Sequence, residues 1–281
     1  MSDAEVVLDG LAFPEGPRWR DGALVFSDMH AQRVVRLDPM TGDASTVVDV
    51  PELPSGLGWL PDGRMLVVSM RDRRVMRLDG ADLVVHADLF DLAPWHCNDM
   101  VVTPGGRAYV GNFGFDMYGG AAPARTHVIV VEPDGRARPG AGDLGFPNGM
   151  VVTPDGTTLI VGESFGGRLT AFTISADGSL GDRRLFARLD GAVPDGICLD
   201  AAGAVWVACP LSGRCLRVED GGTVTDEIGL GRGAFACTLG GDDGRTLFVC
   251  TAESHDPVEA PRLRSGRIEA VRVAVAGAGS P

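Results

Sequence analysis

The chain has 281 residues, 44% of them hydrophobic, with 40 Gly and 18 Pro, and a net charge of −13 from 38 acidic and 25 basic residues. That acidity argues against nucleic acid or an anionic membrane as partner, since both need a basic face. Every basic residue is arginine, which excludes Schiff-base chemistry and a P-loop lysine.

Glycine stands at roughly twice its usual share without any low-complexity tract, which points to many tight turns. No apolar run approaches the ~18 residues a membrane helix needs. The opening residues, Met1 to Glu5, lack the basic and apolar regions of a signal peptide. The expectation is a soluble, cytoplasmic protein with a small-molecule substrate and neither a nucleic-acid nor a membrane partner; the oligomeric state is left open. The cysteines (97, 198, 209, 215, 237 and 250) form no C-x-x-C pair and sit in apolar runs, as buried small hydrophobes do.

In chain order, Glu5-Val6-Val7-Leu8 reads as a strand with no turn partner of its own. It is expected to add an outer strand to the last unit of the fold and so remove an exposed edge. A repeat follows: a polar turn ending in Gly, an apolar strand, another turn and a second strand. The copies run from Arg20-Asp21-Gly22 through Pro61-Asp62-Gly63, Pro104-Gly105-Gly106, Pro154-Asp155-Gly156 and Ala201-Ala202-Gly203 to Asp242-Asp243-Gly244. The glycines are 41, 43, 50, 47 and 41 residues apart. Such spacing, with about four strands per unit, is the signature of a β-propeller. The runs are short and rich in Val, Ile, Phe and Trp, and Gly turns bound them, so strands outcompete helices. The expectation is all-β: a six-bladed β-propeller with four-stranded blades, forming a single domain over 1–281. The Gly-rich stretch Phe113 to Thr126 is expected to loop over one mouth, and Ala274 to Pro281 to be a frayed tail.

A second pattern lies upstream of the turns. Eight residues before each of the last five glycines stand Ser55, Asn98, Asn148, Asp195 and Ala236, and Glu15 lies seven before the first. Equivalent positions of a radial repeat lie at one height around the axis, so these residues should meet at one end of the central channel. Glu15, Asn98, Asn148 and Asp195 are hard oxygen donors, suited to one divalent ion, with Ca2+ first and Mg2+, Mn2+ or Zn2+ as alternatives. Two carboxylates buried together without a cation are costly. Three of the donors are preceded by Pro and followed by Gly.

These segments, together with Phe13-Pro14-Glu15-Gly16-Pro17-Arg18-Trp19, Asn98-Asp99, Pro147-Asn148-Gly149-Met150, Pro194-Asp195-Gly196 and Ala236-Cys237-Thr238-Leu239-Gly240-Gly241, resemble the regucalcin, gluconolactonase and luciferin-regenerating-enzyme family over nearly the whole chain. The resemblance implies a six-bladed propeller with one divalent metal. It matches Glu15, Asn148 and Asp195 to the metal ligands, Asn98 to a position that contacts substrate or metal, and Asp195 to the general base. Diisopropylfluorophosphatase is a more distant relative with a similar axial site. One departure stands out. Many sugar lactonases of the family carry an Arg two residues before the Asn98 position, whereas here that residue is His96. An imidazole cannot reproduce the forked contacts of a guanidinium. His96 is therefore expected to line the substrate pocket, with Asp116 of the Gly-rich loop as a weaker substrate contact and Asp99 orienting Asn98 from behind. His255 either approaches the axis or lies outside, and His30, His86 and His127 pack or face solvent.

The reading that follows is metal-dependent hydrolysis of a lactone, a sugar lactone or a related small one, with Asp195 taking a proton from the attacking water. Two alternatives remain: a phosphotriesterase or lyase at the same metal site, and a non-catalytic calcium-binding propeller.

Overall fold

The structure, a computed structural model, describes residues 4–279. It contains six four-stranded antiparallel sheets, covering residues 14–49, 54–88, 97–139, 147–188, 197–229 and 233–272, the last completed by Glu5–Leu11. The inner strand of each sheet touches the inner strands of both neighbours, and that of the sixth sheet touches that of the first. The fold is therefore a closed six-bladed propeller. Its one α-helix, Ala260–Leu263, spans a single turn. Among the described residues, no helix is long and apolar enough to cross a membrane.

Each blade follows from the repeat. The glycines at 22, 63, 106, 156, 203 and 244 all have positive φ, between 70° and 88°. They make the tight turn between the inner strand and the second strand, a conformation that costs a side chain dearly and glycine nothing. Apolar side chains on the two faces of each sheet pack against the adjacent blades. Val25, Val34, Leu57 and Val67 fill one such seam, and Leu24, Phe26, Phe248 and Ile268 fill the closing seam between last and first. The N-terminal strand pairs antiparallel with Gly266–Arg272, from Glu5 opposite Ala270 to Leu11 opposite Gly266. The ring is thus closed within one blade by both ends of the chain, as the unpaired apolar start suggested.

The C-terminal segment differs from the expected frayed tail. Ala201 N–H donates to the Ala276 carbonyl (2.8 Å), Gly277 N–H to that of Gly244 (2.9 Å) and Ala278 N–H to that of Leu199 (3.0 Å). Residues 276–278 thereby tie the turns of blades five and six together at the end of the ring remote from the axial donors; Ser280 and Pro281 lie outside the described residues. The reason is that Ala and Gly offer unblocked backbone groups to turns that have spare donors and acceptors.

Blade four carries a buried charge cluster that braces one wall of the channel mouth. Glu163, fully buried, accepts hydrogen bonds from Arg168 (2.8 Å), Thr170 (2.5 Å), the Gly145 N–H (2.8 Å) and Arg183 (3.3 Å). Burial alone would raise its pKa; the contacts with Arg168, Thr170 and Gly145 outweigh it and hold the carboxyl below its ordinary value. A depressed folded-state pKa contributes stability above the unfolded value, and that contribution is lost as pH falls through the folded one. Glu163→Gln should therefore lower stability at pH 7 by about 1–3 kcal/mol, with the gap narrowing below about pH 4. Urea midpoints of both proteins at pH 7 and pH 3.5 check this; an equal gap at both would contradict it.

Candidate functional site

The residues singled out by the upstream phase meet at one end of the axis. Asn98 Nδ2 donates to Asn148 Oδ1 (2.9 Å), Asn148 Nδ2 donates to Asp195 Oδ1, and Ser55 Oγ lies 3.5 Å from Asn98 Oδ1. Glu15 and Asp195 share the floor of the same cavity, of about 500 Å³, with Asn98 and Asn148. Local geometry aims them there. The pairing of the inner strand with the second strand shifts register between Glu15 and Arg18, Pro54 and Leu57, Cys97 and Met100, and Pro147 and Met150. A bulge of this kind turns a side chain out of the plain alternation of the sheet.

The glycines after the donors are needed for close approach, and Gly16 also takes a left-handed φ of 54°. A Cβ on Gly16 would lie 2.6 Å from the Ser55 carbonyl oxygen, one on Gly149 2.6 Å from that of Asp195, and one on Gly196 2.6 Å from the Cα of Ala236. Each glycine lets its inner strand lie directly against the next. Blade three is the exception, with Asp99 in the glycine's place. Its carboxylate accepts from Arg18 Nη2 (3.0 Å) and from the Met100 N–H (2.8 Å), and both Arg18 and Asp99 are buried. The expected role of Asp99 in orienting Asn98 is replaced by an ion pair that joins blades one and three across the ring.

The electrostatics of the floor are strained. Desolvation first, then the charges of Asp195 and Asp99, push Glu15 well above the ordinary carboxylate range. Desolvation and then Asp99 raise Asp195 to about 8, against the lowering effect of the Asn148 hydrogen bond. Arg18, the nearest guanidinium, is already engaged with Asp99. The donor set is all oxygen, two carboxylates with amides between them. Among the described residues, no group of three or more His, Cys, Asp or Glu side chains is disposed to hold a metal. The two uncompensated carboxylates and their amide neighbours fit a hard divalent cation and not a structural zinc.

His96 and Asp116 are not where the sequence placed them. Neither lines the cavity. His96 stacks on Trp95 (5.2 Å between centroids) and leans on Phe113 (5.8 Å), and its Nδ1 is buried without a partner. Burial and then Arg71 lower its pKa. Asp116 Oδ1 accepts from the Gly119 N–H (2.7 Å) and so shapes a turn of its own loop. That loop does cover the mouth, through Phe113, Met117 and Tyr118. His255 lines the cavity; His30 lies beside Phe13, and its Nε2 is 3.2 Å from the His255 carbonyl.

Two groups of lining residues were missed. Met29, Met70, Phe113, Ser164, Pro210 and Ala252 all face the cavity, and each stands seven or eight residues after a turn glycine. The same alignment, carried downstream as well as upstream, finds them. Ser164 Oγ donates to the Pro194 carbonyl (2.7 Å) and accepts from Asn148 (3.2 Å), so it fixes the amide beside Asp195. Tyr118 gives no periodic signal. Burial and then the charges of Asp195 and Glu15 raise its hydroxyl to about 12, so it stands over the floor as a neutral donor.

Residues 13–253 match the SMP-30/Gluconolactonase/LRE-like region. The chain belongs to that family. A 6-deoxy-6-sulfogluconolactonase from Pseudomonas putida is 32% identical, with 98% of this chain and 96% of that protein covered. Pentonolactonase XacC from Haloferax volcanii is 26% identical, over 90% of this chain and 86% of that one. Regucalcin from Agrobacterium tumefaciens, described as a calcium-binding protein, superposes with a TM-score of 0.84 at 22% identity, covering 100% of this chain and 97% of that chain. The SMP-30/gluconolactonase fold of this chain thus carries, at its axis, an oxygen-donor site within an aromatic mouth.

Because both floor carboxylates hold protons more tightly than usual, a cation taken up there must displace protons. Adding Ca2+ at pH 7 in weak buffer should acidify the solution, and affinity should rise with pH up to about 8, where Asp195 titrates. Calorimetry in buffers of different ionisation heat reads the proton count; Ca2+ binding without proton release, or unchanged in Asp195→Asn, would contradict the assignment.

Proposed function

We propose that the protein hydrolyses a lactone at the axial site, with one divalent cation, Ca2+ in the first instance, held by Glu15, Asn98, Asn148 and Asp195. The observation that carries this reading is the pair of desolvated carboxylates, Glu15 and an Asp195 bonded to the Asn148 amide, on the floor of a substrate-sized cavity. Membership of a family with relatives named as lactonases supplies the reaction class. A bound cation would neutralise the two carboxylates and supply Lewis acidity toward the ester carbonyl.

The chain's own groups do the rest. Asp195, held by Asn148, accepts a proton from the attacking water as the water oxygen bonds to the carbonyl carbon. The ring C–O bond then breaks, and the same proton returns to the departing alkoxide, leaving a hydroxy acid. Asn98 and Asn148 orient the ester, each fixed by a neighbour: Ser55 beside Asn98, Ser164 beside Asn148. The Ser164 hydroxyl is committed to a backbone carbonyl, so the nucleophile is water and not a serine. The aromatic mouth excludes bulk water and strengthens every charge interaction on the floor.

Asp195→Ala should lower kcat by roughly 10²–10⁴-fold while the fold persists. Chelator-treated protein should recover acid release in a pH-stat when Ca2+, Mg2+, Mn2+ or Zn2+ is restored, and oxygen from labelled water should enter the product acid. Turnover without incorporated solvent oxygen would favour a lyase, and metal binding without turnover on any lactone would favour a binding protein.

A further inference from the structure

The walls of the cavity carry information the floor does not. Phe165, Phe146 and Phe113 form a continuous aromatic side, with centroids 5.3 and 4.5 Å apart, and Phe13 and Phe235 stand edge to face at 4.7 Å on another. Met29, Met70 and Leu211 fill much of the space between. The downstream phase of the repeat, which contributes one residue per blade, presents five apolar residues and a serine whose hydroxyl is already bonded. Apart from Ser164, the polar lining groups stand at the floor or at the rim, where Tyr118, Glu253 and His255 lie.

No arginine lines the cavity, although the chain holds 25. Among the described residues its charged side chains are the acids Glu15, Asp195 and Glu253, and Glu253 is paired with Arg232 (2.7 Å). With the floor carboxylates taken up by the cation, an anionic substituent on the wall side would find no lining guanidinium to pair with. A ring bearing many hydroxyls would bury them against carbon, leaving donors and acceptors unpaired. An aromatic or branched apolar substituent would instead find close-packed ring contacts. Phe165 is 55% exposed and Leu211 81% exposed. Both are free to lose further surface to water when such a group enters.

We propose that the substrate is an uncharged lactone with an aromatic or bulky apolar substituent, its ester on the floor and its substituent against the Phe113–Phe146–Phe165 wall, with Phe165 as a determinant of specificity. This rests on the lactonase reading above. It departs from the substrate named for the Pseudomonas putida relative, whose sulfo group would find no guanidinium on the walls of this cavity.

The test compares three six-membered lactones on cation-loaded protein: δ-phenyl-δ-valerolactone, unsubstituted δ-valerolactone and glucono-δ-lactone, each corrected for spontaneous opening. The phenyl compound should show the highest kcat/KM, by about tenfold or more over the gluconolactone. Phe165→Ser, at an exposed position, should lower that value about tenfold, chiefly through KM, and lower that of δ-valerolactone by about twofold or less. Preference for the gluconolactone, or an equal effect of Phe165→Ser on all three, would overturn the proposal. Binding of the inert ethers 2-phenyltetrahydropyran and 1,5-anhydroglucitol, by calorimetry, separates this from the reaction itself. Tighter binding of the phenyl ether, weakened by Phe165→Ser, with no lactone opened would sink the lactonase reading but uphold the apolar pocket. Tighter binding of the anhydrosugar would sink the pocket assignment whatever the turnover.

Discussion

Six inner strands must converge on one axis closely enough to touch, and that constraint sets almost everything else. At the level of the donors the strands approach so nearly that Gly16, Gly149 and Gly196 have no room for a Cβ. With no space between strands, the preceding residue cannot pack sideways. The bulges then turn Glu15, Asn98 and Asn148 into the channel. The cost of placing two carboxylates there is met by chemistry and not by packing. Asp99, the one acidic residue in the glycine's place, is compensated by Arg18 within the protein. Glu15 and Asp195 have no such counter-charge within the protein, which is the reason a cation is proposed for the site.

The Arg18–Asp99 pair explains how the ring tolerates this. Arg18 also donates to the carbonyls of Leu57 and Met100, so one guanidinium ties the inner strands of blades one, two and three together. Its position below the donors keeps it from reaching their carboxylates as a competing cation. A buried pair of this kind adds little net stability over an apolar filling. Its value lies in fixing which blades meet, and in holding a positive charge near the floor without filling the site.

The fold was legible because its signal is positional. A positive-φ glycine recurs at each inner turn and no other residue does that work as cheaply, so six copies could be aligned with no other information. The donors were legible for the same reason, since any residue at one phase of a radial repeat must share a height. The method failed where the structure leaves the repeat. His96 shares the phase of Phe13, Phe146 and Val193, two residues before its donor, yet its ring turns away to stack on Trp95. Phase fixes where a backbone lies, whereas the choice of rotamer depends on neighbours such as Trp95 that have no counterpart in the other blades. Tyr118 sits in the insertion of blade three and the tail residues 276–278 beyond the last blade, and neither has a second copy to be compared with.

Floor and wall are therefore constrained differently. A donor is tied to other side chains, as Asn148 is to Asn98, Asp195 and Ser164, so a change at one disturbs the rest. A wall residue such as Phe165 or Leu211 lies in a connection between strands, exposed at the rim, and can change without disturbing the ring. The identity of the substrate has to be argued from the residues seven or eight places after each turn and from the loop of blade three. In this chain those positions are apolar or aromatic almost throughout, above a floor whose only fixed charges are negative. That lining is the ground for proposing a substrate that meets the wall with carbon surface and keeps its polar atoms for the floor.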